Sequence, residues 1–163
     1  MILRRWVVIG ACAAAALLGC TGQPASLPAQ PTRAISSAGL ALVPLEIRSG
    51  DRVHRFTVEV AERPEQQERG LMFRPKVGPD EGMIFPLSPP RLASFWMRNT
   101  MVPLDMIFVR VNGTIARIAV NTVPYSEATV DSYEPVAAVL ELAGGRTVEL
   151  GIRENDRVVW QRP

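Results

Sequence analysis

The chain has 163 residues, of which 47% are apolar, so its length and composition suit one globular domain with appendages. It carries 18 basic and 16 acidic side chains, and loss of Arg4 and Arg5 with an export signal would leave 16 of each. A protein this close to neutral is a poor partner for nucleic acid, because phosphate binding needs a basic surface.

The first segment predicts export and lipid attachment. Arg4 and Arg5 precede an apolar run that is too short for a typical spanning helix, which is characteristic of a secretory signal peptide over residues 1–19. The ending Leu17–Cys20 resembles a bacterial lipobox, which implies cleavage before Cys20 and acylation of that cysteine. The alternative is an ordinary signal with a free Cys20. Several acyl chains would hold the protein stably at a membrane.

Lipidation would decide both location and cysteine chemistry. Thr21 stands where an inner-membrane retention signal usually has Asp, so we expect an anchor in the outer membrane and a domain facing the periplasm. Cys12 would leave with the signal and Cys20 would be acylated. The mature domain then has no thiol for a disulfide, a nucleophile or a thiolate metal site.

Residues 20–43 are expected to form a disordered tether. They are rich in Pro, Ala, Ser, Gln and Gly, and their apolar side chains are too sparse to fold against. Residues 40–43 are the candidate start of the ordered part. The β-rich domain is assigned to residues 44–163.

Alternation of apolar and polar residues predicts strands through most of this domain. One helix is expected at residues 64–70, where Pro64 suits the first position and Gly70 suits the end. Asn112-Gly113 predicts a tight hairpin. The expected strands are residues 45–47, 56–60, 82–85, 94–98, 104–111, 114–120, 136–142 and 157–161, with a helical turn at 146–150. This pattern predicts a mainly β fold, a single compact β-sandwich or barrel-like domain with one short helix.

Asp105 is a candidate functional group because it lies in the strongly apolar run 104–108. A buried carboxylate must be paired or hydrogen-bonded. The candidate partners are Arg98, Arg69 and Arg74. We favour a structural role, in which Asp105 pairs with an arginine, Arg98 first among them, or accepts from backbone amides of the bend at residues 99–103.

The alternative role for Asp105 is that of an acid or base in a ligand or catalytic site. Glu81 or Asp80 would then supply a second carboxylate. Trp96 is a candidate stacking platform for a sugar or an aromatic ligand, exposed if Phe95 and Met97 face the core. The full set of ligand-binding candidates is Arg69, Arg74, Trp96, Arg98, Asn99, Thr100 and Asp105.

Methionines offer a further interpretation, since thioethers in an exported protein can bind Cu(I). The five in question are Met72, Met83, Met97, Met101 and Met106. Core packing is favoured over copper, because the spacing lacks dense repeats and no free cysteine assists. The single histidine, His54, is interpreted as a surface or capping residue, so neither a metal nor another cofactor is expected.

Several ordered motifs carry a family resemblance. They are Val58–Ala61, Arg69–Arg74, Glu81–Phe85, Phe95–Thr100, Pro103–Asp105, Val139–Leu142, Gly145 and Gly151-Ile152. Together they resemble the bacterial and archaeal family catalogued as domain of unknown function 192, over roughly residues 45–161. The resemblance implies a β-rich sandwich-like or barrel-like domain and carries over no catalytic residues. Asn155-Asp156 departs from the usual Gly-Asp.

The favoured function is a membrane-tethered, periplasm-facing accessory module that binds a small ligand or an envelope protein. It follows from the lipobox, the near-neutral domain and the absence of nucleophile or metal-ligand motifs. The alternatives are a carboxylate-type hydrolase acting on envelope carbohydrate, with Asp105 and Glu81 as acid and base, and a Cu(I)-binding protein. An enzyme is the less favoured class.

Overall fold

The computed structural model describes residues 34–161 of the chain. The predicted signal peptide, Cys20 and the tether up to residue 33 lie outside these residues. The described elements are β1 (Leu42–Ser49), β2 (Arg52–Val60), α1 (Pro64–Arg69), β3 (Glu81–Arg91), β4 (Ser94–Phe95), β5 (Leu104–Val109), β6 (Ile115–Ala119), β7 (Val130–Asp131), β8 (Val136–Ala143), α2 (Arg146–Leu150) and β9 (Arg157–Trp160). No helix in this part of the chain is long and apolar enough to cross a membrane.

Seven strands form one sheet in the order β6-β5-β8-β3-β2-β1-β9, and this sheet curls into a half-barrel. An isolated bridge between Thr114 and Arg157 links the regions of the two edge strands. Strands β4 and β7 form a separate two-stranded sheet. The predicted mainly β fold is confirmed, and the expected helical turn at residues 146–150 is a second short helix, α2.

Strands β2 and β3 are parallel neighbours, whereas the other adjacent strand pairs of the large sheet are antiparallel. A parallel pair needs a crossover, and here the crossover over residues 61–80 contains α1. Gln67 fixes this helix to the sheet, because its Nε2 donates to the carbonyls of Ala61 (3.1 Å) and Pro86 (2.9 Å). The predicted helix at 64–70 is confirmed, and it ends at Gly70 with a φ of 47°.

The two faces of the sheet carry separate cores. The inner core draws buried side chains from all seven strands, including Leu45, Ile47, Phe56, Ile84, Ile107 and Leu140. The outer core lies under the crossover and the loops after β3, and it includes Leu71, Met83, Phe85, Met97, Met106 and Phe108. Burial on both faces explains why every residue of β5 is buried.

The predicted limits of two strands and of the tether are corrected. Strand β3 does not end at Phe85 but runs to Arg91, and a register shift between Pro86 and Arg91 accommodates the prolines. The strand expected at 94–98 is only Ser94–Phe95. The tether predicted to reach residue 43 is shorter, because Ile35 bridges Ala41 and β1 starts at Leu42.

Candidate functional site

Asp105 is fully buried, but it forms no ion pair with any arginine of residues 34–161. Its Oδ1 accepts from the backbone N–H groups of Asn121 (2.8 Å) and Gly145 (2.7 Å). Its Oδ2 accepts from the backbone N–H (2.8 Å) and hydroxyl (2.6 Å) of Thr147. Asp105 therefore ties the start of α2 to the sheet, and the prediction of Arg98 or the 99–103 bend as its partner is wrong.

The structure does not bring Asp105 and Glu81 together. Asp105 is paired with Leu142, an inner-core residue, so its side chain lies on the inner face. Gly82 is also paired with Leu142, which places Glu81 one residue earlier and on the opposite face. Two carboxylates on opposite faces of a sheet cannot serve as an acid–base pair, so this pairing is corrected.

A cleft of about 440 Å³ lies on the outer face, between α1, β3 and the loop that contains β4. Its apolar wall is formed by Leu71, Met72, Phe85, Leu87, Phe95 and Trp96. Its polar lining includes Gln67, Glu68, Arg69, Arg91, Thr100 and Glu141. Gly70 makes this geometry possible, since a Cβ there would contact the Phe85 ring at 3.4 Å and strain a positive φ.

Glu141 is the unusual group of the cleft. Its side chain lies in a row across the outer face, between Met83 of β3 and Met106 of β5, and the residue is only 5% exposed. No residue in the described range donates a hydrogen bond to its carboxyl group. Burial therefore raises the pKa of Glu141 from 4.5 to about 8, and the group is largely a neutral acid at pH 7.

Three of the predicted ligand-binding residues line this cleft: Arg69, Trp96 and Thr100. Trp96 is 43% exposed, which agrees with the alternation that pointed it away from the buried Met97. Arg98 lies over its ring, with 5.4 Å from the guanidinium carbon to the ring centroid. Arg98 therefore packs against a residue of the outer-face cleft, whereas the side chain of Asp105 lies on the inner face.

The other predicted residues have different roles. Arg74 forms an ion pair with the buried Glu59 and lines a second cavity of about 290 Å³. Glu81 also lines that cavity. Asn99 has a positive φ of 55°, its carbonyl accepts from the N–H of Phe73, and its Nδ2 lies 3.9 Å from the sulfur of Met72. The contacts of Asn99 connect the loop after α1 to the loop after β4.

The methionines do not cluster around one point where a metal could bind. Met83, Met97 and Met106 belong to the outer core, whereas Met101 is 38% exposed. Met83 and Met106 are two strands apart, roughly 10 Å between backbones, on either side of β8. Residues 34–161 also contain no group of three or more His, Asp, Glu or Cys side chains placed to hold a metal.

Sequence reasoning missed Glu141 as a site residue. It has the same signature as Asp105, a single carboxylate inside an apolar run, here Val136–Ala143. The local sequence pattern cannot show that the crossover and the loops cover the face to which Glu141 points. Burial of the carboxyl group follows from this cover.

Fold and cleft together define a small curled-sheet domain with a ligand-sized cleft on its covered face. The chain belongs to the family domain of unknown function 192, described as Uncharacterized ACR, which it matches over residues 45–160. No curated protein matches the chain.

Two solved structures are similar to it. A protein of unknown function from Novosphingobium aromaticivorans is 43% identical, with a TM-score of 0.77 over 78% of this chain and 92% of that one. A Sinorhizobium meliloti protein, described as a candidate transcription regulator, is 44% identical, with a TM-score of 0.73 over 74% of this chain and 95% of that one.

Proposed function

We propose that this protein is a membrane-tethered accessory module of the cell envelope, facing the periplasm, that binds a small ligand in the cleft beside α1. The observation that carries this proposal is Glu141, a buried carboxyl group that lines the cleft and receives no hydrogen bond from the described residues. Its carboxyl group faces the cleft, where a bound ligand could take the place of water as its hydrogen-bond partner.

The shape and lining of the cleft support a small ligand. Its volume of about 440 Å³ falls within the range of roughly 300–1,000 Å³ that small-molecule sites occupy. Apolar and aromatic walls with a few polar groups are the usual composition of such sites. The half-exposed Trp96 offers a face for stacking a ring or covering an alkyl chain.

The location rests on the sequence. The lipobox ending at Cys20 and Thr21 after it favour an outer-membrane anchor, and the Pro-rich tether would hold the domain away from the bilayer. The near-neutral charge gives no support to nucleic acid as a partner, so the description of the Sinorhizobium relative as a transcription regulator is not extended to this chain.

The alternatives gain less support. A hydrolase with Asp105 and Glu81 as acid and base does not fit side chains on opposite faces of the sheet, and Asp105 already accepts four hydrogen bonds. A Cu(I) site does not fit methionines that pack in the outer core. Binding of an envelope protein in place of a small ligand is tested by the envelope fragments in the screen below.

A thermal-shift screen tests the proposal. The Cys20→Ala chain, which lacks the lipidation site, is screened against metals, sugars and envelope fragments. A ligand of the cleft should raise Tm by mass action. The shift should disappear in Trp96→Ala but persist in Tyr133→Ala. Tyr133 is the control because it is also aromatic, is 76% exposed and lies outside the cleft. If no compound shifts Tm, or if every shift survives Trp96→Ala, the cleft is not a small-molecule site.

A further inference from the structure

The cleft is elongated along β3 and β8. Arg91 of β3 is paired with Val136 at one end of β8, and Glu141 lies five residues further along β8. At roughly 3.3 Å per residue, these two positions are about 16 Å apart. Phe85 and Leu87 occupy the stretch of β3 between them, and both line the cleft. The cleft thus has two ends of different chemistry joined by an apolar wall.

One end can donate a hydrogen bond from a neutral acid. Glu141 is flanked by Met83 and Met106, which offer no hydrogen-bonding partner comparable to water. The other end carries a cationic side chain, that of Arg91. Arg69 on α1 also lines the cleft, as does its neighbour Glu68, and neither arginine forms an ion pair with any residue in the described part of the chain.

We propose that the ligand of this cleft is a linear anion with an apolar body, an anionic group at the Arg91 end and an oxygen acceptor that reaches Glu141. This inference rests on the proposed function and names the class of ligand. Guanidinium groups suit carboxylate or phosphate oxygens, because they present several N–H donors in a plane. A carboxylic acid can donate to a hydroxyl or carbonyl oxygen, which an ionised carboxylate cannot do.

The charge around Glu141 decides how binding responds to pH. The charged groups on the surrounding elements are Glu68 and Arg69 on α1, Arg91 on β3, Glu59 with its partner Arg74, Arg98 over Trp96, and Asp105 on the opposite face. None of these groups raises the pKa of Glu141. The cause of the raised pKa is burial alone. Above about pH 8 the ionised Glu141 can no longer donate, so a ligand whose end group can only accept should lose affinity as pH rises through this value.

Three compounds of equal chain length test the inference by calorimetric titration of the Cys20→Ala chain. We expect ω-hydroxydecanoate to bind tightest, decanoate to bind more weakly because it lacks the acceptor, and decanediol to bind weakest because it lacks the anion. The double variant Arg69→Gln/Arg91→Gln should weaken ω-hydroxydecanoate about tenfold and leave decanediol unchanged, since charged hydrogen bonds are lost. Arg157→Gln, an exposed arginine outside the cleft, is the control.

A second variant separates binding chemistry from folding. Glu141→Gln keeps a donor of similar shape, so affinity at about pH 6 should stay within about threefold of the wild type. The methyl ether of ω-hydroxydecanoate can only accept at this end, so its expected loss of about tenfold between about pH 6 and about pH 9 should disappear in this variant. A pH response that persists in Glu141→Gln would overturn the assignment of the acceptor end.

The outcomes distinguish this inference from the proposed function. Equal binding of decanediol and ω-hydroxydecanoate would overturn the anionic ligand but leave a small-molecule cleft. Binding that the double arginine variant does not weaken would also overturn it. If none of the three compounds binds while the screen yields another ligand sensitive to Trp96→Ala, only the ligand class is wrong. If neither experiment finds a ligand, both proposals fail.

Discussion

Replacement of Asp105 by Asn probes a fully buried side chain that makes four hydrogen bonds. The carboxylate accepts four hydrogen bonds of 2.6–2.8 Å, two at each oxygen. Asn puts an NH₂ group at one of these oxygens, where it faces two donors. If this is Oδ2, the Thr147 hydroxyl can rotate to accept, but the N–H of Thr147 is left without an acceptor.

The expected cost follows from these contacts. Losing one hydrogen bond to a charged acceptor costs about 1.5–3 kcal/mol, and a buried N–H without a partner costs about 1–3 kcal/mol, with overlap between the two terms. We therefore expect Asp105→Asn to lower the free energy of unfolding by about 2–4 kcal/mol, a large share of the 5–15 kcal/mol that is typical of a domain.

Urea unfolding followed by circular dichroism measures this cost as a lower midpoint at an unchanged slope. Asp51→Asn is the matched control, since Asp51 is exposed in a turn and its replacement should change stability by less than about 0.5 kcal/mol. An unchanged or higher midpoint for Asp105→Asn would refute the structural role, because a residue strained for function is released by such a change.

Three further predictions concern other positions. Since burial raises the pKa of Glu141 to about 8, the folded state keeps a proton that the unfolded state loses above about pH 4.5. Urea midpoints should therefore fall as pH rises from about 4.5 to about 8, and Glu141→Gln but not the exposed Glu127→Gln should flatten this slope. Gly82→Ala should destabilise by about 3 kcal/mol in the same assay, because its Cβ would lie 2.3 Å from the Glu141 carbonyl oxygen; normal stability would contradict that close approach. Cys20→Ala should abolish membrane attachment, and a variant that stays in the membrane fraction, or wild type that takes up no labelled palmitate, would refute the lipobox.

Local patterns predicted the elements of the fold because they depend on neighbouring residues. Alternation located β1 and β2, Pro64 and Gly70 bounded α1, and Asn112-Gly113 marked the hairpin between β5 and β6. Strand β3 was cut short, since a proline usually stops a central strand. Here Pro86 still pairs with Ala138, and its carbonyl accepts from Gln67 in the crossover, a contact that no local pattern contains.

The candidate site was harder to predict because its partners are distant in sequence. The apolar neighbours of Asp105 indicated burial and hydrogen bonding, but its acceptors bind Gly145 and Thr147, which are 40 and 42 residues away. No local sequence pattern identifies Gly145 and Thr147, rather than Arg98, as the partners of Asp105. The cleft was only partly predicted, through Arg69, Trp96 and Thr100, because the parallel pairing that lays α1 over Glu141 is a property of the topology.

The position of β9 has a consequence for biosynthesis. The last strand pairs with the first, with Val158 opposite Ile47 and Trp160 opposite Leu45. A ribosome makes the chain from its N-terminus, so β1 has no neighbour on that side until β9 has been translated. The half-barrel cannot be completed on a truncated chain. Such late completion suits the export predicted from residues 1–19, because a chain that has not closed its sheet is still able to thread across a membrane.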